Sequence, residues 1–181
     1  MQMEESSMVH QLWEVGLLLR AWDDLDRAVE DVSDEDMLRQ IDGGSAFAWT
    51  MAHVSNGIDS WLNRRFMGLE RHPLIANSRF QLGGDGAADN WPEIRAAVAA
   101  VRIPAREFLL GCSAEDLERT VAYDGAYAQF REHGLNLRIA ILQNAIHHTF
   151  HLGEIVAKRE LLGYEPGIFP GSVLDALRLP R

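Results

Sequence analysis

Residues 135–166 read LNLRIAILQNAIHHTFHLGEIVAKRELLGYEP, and they predict one long helix. Asn136 is a residue type that caps helix starts, and Gly163 followed by Pro166 is a typical helix end. Two stripes follow the helical steps of three and four residues between these signals. The apolar stripe consists of Leu135, Ile139, Leu142, Ile146 and Phe150, and the polar stripe consists of Ala140, Asn144, His147, His151, Glu154 and Lys158. A helix in a bundle needs only one of the two stripes in its core.

The polar stripe carries the candidate chemistry of this helix. His147 and His151 are four residues apart, so they lie one turn apart on the same helical face, where two imidazoles can share one metal ion. Glu154 continues that face toward the helix end. The competing interpretation is a solvent-exposed polar face without any ligand, which is common for these residue types. The spacing alone leaves both interpretations open.

The residue that follows His147 is His148 rather than a glutamate. A zinc peptidase of the HExxH type needs a glutamate there as its general base, so this class is disfavoured. His148 also lies about 100° around the helix from His147, and we leave it out of the predicted ligand set. The sequence contains neither a Gly-rich phosphate loop before a lysine nor a nucleophile elbow of the form Gly-x-Ser-x-Gly.

Three further long helices are predicted before this one. Apolar residues at helical spacing indicate the first over about residues 8–31. Ser45 can cap the second helix, which extends to about Met67. Asn90 can cap the third, which ends near Gly111.

The connections between these helices complete the predicted architecture. Residues 69–89 lack periodicity and predict a long surface crossover between helices two and three. Residues 120–123 and 126–130 flank Asp124-Gly125 and predict a short hairpin before the last helix. We therefore predict an all-α fold, a four-helix bundle that forms a single domain over residues 1–181.

The charge balance argues against anionic partners. The chain has 17 basic and 27 acidic residues and a formal net charge of −10, so neither nucleic acid nor a membrane surface is expected as a partner. No apolar run reaches the roughly eighteen residues that a membrane span needs. The single cysteine, Cys112, excludes an internal disulfide, and the first residues, MQMEE, lack the features of a signal peptide. These observations favour a cytoplasmic location.

Two segments together resemble a known family. Residues 45–54, SAFAWTMAHV, are followed nearly a hundred residues later by His147-x-x-x-His151-Leu152-Gly153-Glu154, and this arrangement is similar to the DinB/YfiT-like metal-dependent enzyme superfamily. The resemblance extends from helix one to Gly163 and includes residues 115–121. It implies a DinB-like four-helix bundle in which His53, His147 and His151 bind a divalent metal.

One position departs from the family's pattern. The family often has Gly-Gln after the last histidine, whereas this chain has Gly153-Glu154. The Glu154 carboxylate could bind the metal, take a substrate proton, or accept a hydrogen bond from a ligand imidazole. We favour the hydrogen bond.

The resemblance also implies a class of reaction. Three neutral imidazoles leave coordination positions open, as in catalytic metal sites, and characterised relatives are thiol S-transferases or thiol-dependent isomerases that use mycothiol, bacillithiol or glutathione. Lys158 is the single lysine among the 17 basic residues, a bias typical of high-GC genomes, for which mycothiol is the expected thiol. We predict a transferase that directs this thiol at an electrophilic small molecule. Trp49, Trp61 and Tyr127 are candidate pocket walls, with the electrophile near Gly57.

Alternatives remain at this level. Other relatives are metal-dependent hydrolases, and a non-catalytic metal-binding stress-response protein or a scaffold without metal would have the same bundle. Zinc or nickel is the favoured metal, and three imidazoles also accept iron, manganese or cobalt. The resemblance further implies a homodimer.

Overall fold

Helical segments make up most of residues 12–171, the part of the chain that the computed structural model describes, and the all-α prediction is confirmed. The long helices are α1 (Trp13–Val29), α3 (Phe47–Ile58), α4 (Trp91–Gly111) and α6 (Leu137–Leu161). The shorter ones are α2 (Asp34–Met37) and α5 (Ala128–His133), with 3-10 turns at Ser78–Phe80 and Asp116–Glu118. α3 continues without a break into a π-helix, Asp59–Phe66, so this segment ends near Met67 as predicted.

The four long helices form a bundle around an apolar core. α1 packs mainly against α6, and α3 packs against both α4 and α6, whereas α1 and α4 make few contacts. The largest fully buried side chains of the long helices include Leu18, Trp22, Leu25, Phe47, Met51 and Ile58. Each helix in the described part of the chain is too short or too polar to cross a lipid bilayer.

Two predicted helix starts are capped as expected. The side chains of Asn90 and Asn136 each accept a hydrogen bond from the backbone N–H three residues further on, at 3.2 and 3.3 Å. The prediction that Ser45 caps α3 is wrong, because Ala46 is the residue that precedes this helix. The Ser45 hydroxyl donates instead to Glu154, across the bundle, at 2.5 Å.

A two-stranded antiparallel sheet precedes α6, but the predicted hairpin is wrong about its second strand. β1 (Thr120–Val121) pairs with β2 (Leu135–Asn136), and residues 126–130 lead into α5 instead. The reason is packing against the π-helix, because three aromatic rings of residues 123–130 contact the Trp61 ring edge to face, with centroids 5.8 to 6.1 Å away. These rings belong to Tyr123, Tyr127 and Phe130.

The polar stripe of α6 lies in the core, and its interpretation as a solvent-exposed face is wrong. Asn144, His151 and Lys158 are buried, whereas Ile146 is 61% exposed and Phe150 is 73% exposed. The polar side chains can be buried because each has partners on α6 or on the segment before α3. The apolar part of the buried face comes from Leu137, Ala140, Ile141, Ala145, Leu152 and Ile155.

The crossover between α3 and α4 is long, as predicted, but it is not confined to the surface. The side chains of Ile75 and Phe80 are buried in the bundle. The buried Asp59 carboxylate of the π-helix accepts hydrogen bonds from Arg71 Nε and from the His72 backbone N–H, both at 3.2 Å. The crossover is therefore tied to the helical segment that begins with α3.

Two isoleucines of α6 test which of its faces is buried. Ile141→Ala removes a fully buried side chain, and we expect it to lower the free energy of unfolding by about 2–5 kcal/mol. Ile146→Ala truncates an exposed side chain and is expected to change that free energy by less than ~0.5 kcal/mol. Urea denaturation followed by circular dichroism measures both. Equal losses in the two variants would contradict this orientation of α6.

Candidate metal centre

Three histidines converge where α3 faces α6. His53 lies on α3, and His147 and His151 lie one turn apart on α6. The Nε2 atom of His147 is 3.1 Å from Nε2 of His53 and 3.1 Å from Nε2 of His151. One nitrogen from each ring lies within 4.8 Å of the other two. The structure brings together the three residues that the sequence and the resemblance nominate as ligands.

The outer nitrogens of two rings are hydrogen-bonded. His53 Nδ1 donates to the carbonyl oxygen of Phe80 at 2.9 Å, since a carbonyl can only accept. His151 Nδ1 donates to Glu154 Oε2 at 2.8 Å. A neutral imidazole with its hydrogen on Nδ1 has a lone pair on Nε2. In this neutral form both rings direct a lone pair at the point where the three histidines meet, as metal-binding imidazoles do.

The Trp49 side chain supports His53 from one face. The two rings are stacked, with centroids 4.7 Å apart and an interplanar angle of 10°. Trp49 Nε1 donates to the carbonyl oxygen of Arg79 at 2.6 Å, and the next residue, Phe80, accepts from His53. Two consecutive carbonyls of the crossover thus orient the tryptophan and the histidine together.

Burial keeps two of the rings uncharged at neutral pH. It lowers the pKa of His53 and lowers the pKa of His147 to about 4, and the neighbouring histidines act in the same direction. Nitrogen lone pairs that converge at 3.1 Å repel one another unless a proton or a cation lies between them. Imidazole nitrogens are ligands for divalent transition metals. This donor set fits a divalent cation.

Glu154 lies behind His151 rather than among the converging nitrogens. Its Oε1 atom accepts hydrogen bonds from Ser45 Oγ at 2.5 Å and from Lys158 Nζ at 2.6 Å, while Oε2 accepts from His151. Burial alone would raise the pKa of Glu154, but these three hydrogen bonds lower it overall. The carboxylate is therefore ionised, and both of its oxygens accept hydrogen bonds. Its position matches the hydrogen-bonding role that we favoured from the sequence.

Sequence reasoning missed the participation of Ser45 and Lys158 in this network. The Lys158 ammonium group also donates to Ser45 Oγ at 3.1 Å and to the Ser45 carbonyl oxygen. The position of Lys158 on the polar stripe, as the single lysine of the chain, was a usable signal for it. Nothing local to Ser45 distinguishes a helix cap from a partner of Glu154.

His148 lies outside the cluster, as predicted. Its side chain is fully buried, and its Nδ1 donates to the backbone carbonyl of Asn144 at 2.7 Å. Its ring centroid is 6.3 Å from that of Trp22 on α1. Burial lowers the pKa of His148 well below its usual value, so the ring is a neutral part of the core.

A slot of about 70 Å³ reaches His147. Trp61 and Tyr127, both predicted as walls, line it together with Gln143 and Asn144. The predicted space beside Gly57 is absent, because Asn144 occupies it: a methyl group added to Gly57 would lie 2.6 Å from Asn144 Oδ1. The slot along Trp61 and Tyr127 is an open approach to His147.

Comparison with known proteins agrees with this geometry. A family model described as the DinB superfamily matches residues 17–155, which is more than half of the chain. The matched range contains the three converging histidines and Glu154. No curated protein matches the sequence.

Removing single histidines tests the centre directly. Elemental analysis of the purified protein is expected to find about one divalent ion per chain. We expect that ion to be lost from His53→Ala, His147→Ala and His151→Ala, because each variant leaves two ligands. His133→Ala, at an exposed histidine of α5, is the matched control and should retain the metal. A metal content that is the same in all four variants would contradict the site.

Glu154→Gln tests the support behind His151. The amide oxygen can still accept from His151 Nδ1, but the negative charge is lost, and we expect the metal dissociation constant to rise by about 10- to 100-fold. Glu160→Gln, at an exposed position of the same helix, should leave it unchanged. The double variant Glu154→Gln/Lys158→Met removes the lysine that would otherwise lose its partner, and it should bind metal as weakly as the single variant. Isothermal titration with zinc measures these constants, and recovery in the double variant would show that the lysine, not His151, causes the loss.

Proposed function

This chain belongs to the DinB superfamily, and on that premise we propose that it is a divalent-metal-dependent transferase that couples a low-molecular-weight thiol to an electrophilic small molecule. The observation that carries the proposal is the set of three converging imidazoles, two of which, His53 and His151, are oriented by hydrogen bonds from their outer nitrogens. Three protein ligands are the number found in catalytic centres, where a further position is left for a reactant. Uncharged ligands also leave the full positive charge of the ion available to that reactant.

His53, His147 and His151 would hold the ion. A divalent cation bound by neutral ligands supplies Lewis-acid chemistry, which lowers the pKa of a thiol or a water molecule. The proposed reaction forms a carbon–sulfur bond at the electrophile, whose leaving group departs with the bonding electrons, and the thiol proton passes to solvent. Mycothiol is the thiol that we favour, on the arginine bias of the sequence.

Other side chains of the protein orient the ligand His151 and shape the approach to His147. Glu154 keeps the hydrogen of His151 on Nδ1 and thereby keeps the Nε2 lone pair directed inward. Trp61 and Tyr127 form the apolar wall along which a reactant approaches His147. Asn144 is fixed by its own hydrogen bond to the Ala140 carbonyl at 2.8 Å and closes the side next to Gly57. The side next to Gly57 is thus closed to a reactant, and the slot along Trp61 and Tyr127 reaches His147.

The size of the slot favours a second candidate, a metal-dependent hydrolase. A volume of about 70 Å³ holds only a few water molecules, since each occupies about 30 Å³ in the liquid. A water nucleophile fits inside it, whereas a thiol such as mycothiol could insert only its sulfur end. The same three histidines serve both reactions, so the nucleophile has to be determined by experiment.

The decisive experiment uses cobalt-loaded protein, because the visible spectrum of cobalt responds to a change of ligand. Titration with mycothiol, glutathione and bacillithiol is expected to produce a new absorption band with one of them, and that thiol should then be conjugated to monobromobimane faster with enzyme than without. His151→Ala should abolish both effects. A metal-loaded protein that responds to no thiol but hydrolyses p-nitrophenyl acetate would overturn the transferase in favour of the hydrolase. Loss of neither metal nor activity in His151→Ala would overturn both.

A further inference from the structure

A second cavity lies between α1 and α4, the two neighbouring helices that make few contacts. Its volume is about 690 Å³, within the range of small-molecule sites. None of the three converging histidines lines it. The cavity is therefore separate from the candidate metal centre, and its occupation does not depend on the proposed reaction.

The inner wall of this cavity is apolar and aromatic. Trp22, Met51, Trp91 and Val98 line it, and each is buried in the protein. Aromatic and aliphatic walls stabilise the apolar body of a small ligand through burial of its surface. The exposed side chain of Ile103 lies at the same cavity on α4. The inner wall therefore favours a ligand with an apolar body.

The charged lining has more cations than anions. The cationic residues are Arg27, Arg95, Arg102 and Arg106, and the anionic residues are Asp26, Glu30 and Asp34. This excess occurs in a chain whose formal net charge is −10. Three of the four arginines belong to α4, whereas Asp26 and Glu30 belong to α1 or its end. Arg102 and Arg106 pair with Asp26 and Asp23 of α1, whereas Arg95 has no ion pair within the described residues. An anionic group would therefore be stabilised on the α4 wall rather than on the α1 wall.

Arg102 is the buried charged residue of this lining, and its hydrogen bonds are incomplete. It is only 8% exposed, and its Nη1 atom donates to Asp26 Oδ1 at 2.6 Å. Its Nε and Nη2 atoms are buried and have no hydrogen-bond acceptor within residues 12–171. These two nitrogens form the edge of the guanidinium group that binds a carboxylate through two parallel hydrogen bonds. Leaving such donors buried without acceptors is costly.

A second donor at the same place also lacks an acceptor. The Trp22 ring lies beneath the Arg102 guanidinium group, 5.4 Å from its carbon atom to the ring centroid, and Trp22 Nε1 is buried and unpaired within the described residues. Arg106 lies over the same ring at 5.8 Å. Two side chains of the cavity lining therefore have buried donors that lack acceptors within residues 12–171.

We propose that the cavity between α1 and α4 is a second ligand site, which takes an organic anion with an apolar body and a carboxylate or sulfonate group bound at Arg102. The apolar body would contact Trp22, Trp91 and Val98. Because Arg102 Nε and Nη2 are buried, the guanidinium group would have to turn toward the cavity, and the anionic oxygens would then supply the acceptors that it lacks. This site is independent of the metal, so a chelator should leave its affinity unchanged.

The test uses 8-anilinonaphthalene-1-sulfonate as the probe, because it joins aromatic rings to one sulfonate and becomes fluorescent when its surroundings are apolar. Its dissociation constant is measured by fluorescence titration, with and without EDTA. 2-Naphthoate, 2-naphthylmethanol and 2-naphthylmethylamine then compete for the site, since they share one ring system and differ in charge. We expect the carboxylate to displace the probe at concentrations at least about tenfold lower than the alcohol or the amine do.

Two neighbouring positions of α4 test whether the probe binds in this cavity. Ala99 lines the cavity and Ala100 does not, and both are exposed, so a tryptophan at either position should not disturb the core. Ala99→Trp is expected to abolish probe binding by filling the cavity, while Ala100→Trp leaves it intact. Arg102→Met should raise the dissociation constant at least about tenfold through loss of a charged donor.

Three results would overturn the proposal. Equal binding to Ala99→Trp and Ala100→Trp would place the probe outside this cavity. Displacement by the amine as readily as by the carboxylate would reject an anion site, and so would unchanged binding to a folded Arg102→Met variant. If that variant fails to fold, two measurements still test the proposal. They are the comparison of Ala99→Trp with Ala100→Trp and the competition among the carboxylate, the alcohol and the amine. Loss of metal in the histidine variants has no bearing on these results.

Discussion

The centre of this bundle depends on hydrogen bonds that the histidine rings make on their far sides. A ring whose Nδ1 is held by a carbonyl or a carboxylate has one tautomer and one orientation. For His53 that partner is the Phe80 carbonyl, which belongs to the crossover rather than to a helix. The crossover in turn is held by buried side chains and by Asp59 of the π-helix. A connection between two helices is thereby part of the site.

The same constraint explains why α6 buries its polar stripe and leaves apolar side chains outside. Buried ions are tolerated when they are paired and hydrogen-bonded, and here the hydrogen bonds of two buried cations join α6 to other elements. Lys158 contacts the segment before α3, and Arg159 donates to the Ala28 carbonyl of α1 at 2.8 Å and to Asp31. Apolar contacts alone allow a helix to rotate or slide, whereas directional bonds to two neighbours define its register. The exposed Ile146 and Phe150 follow from that register.

Local signals were sufficient for much of the fold. Asn90 and Asn136 are helix caps because a cap needs only the few residues around it. The convergence of the histidines was accessible through the resemblance, since α6 spacing pairs two of them but nothing local connects them to His53, 94 residues away along the chain. The errors share one cause, which is contact between distant residues. Ser45 meets Glu154, Asn144 fills the space at Gly57, and aromatic packing on Trp61 replaces a hairpin with α5.

Lys158 allows the polar network around Glu154 to be probed with amine-reactive reagents. Reagents that acylate lysine require an accessible, uncharged amine, and the single lysine side chain of this sequence is 6% exposed and hydrogen-bonded to Glu154 and Ser45. Its ammonium group becomes available only when the end of α6 separates from the segment before α3. The rate of acylation at this one side chain is therefore a measure of how often the bundle opens behind His151, obtained without introducing any label.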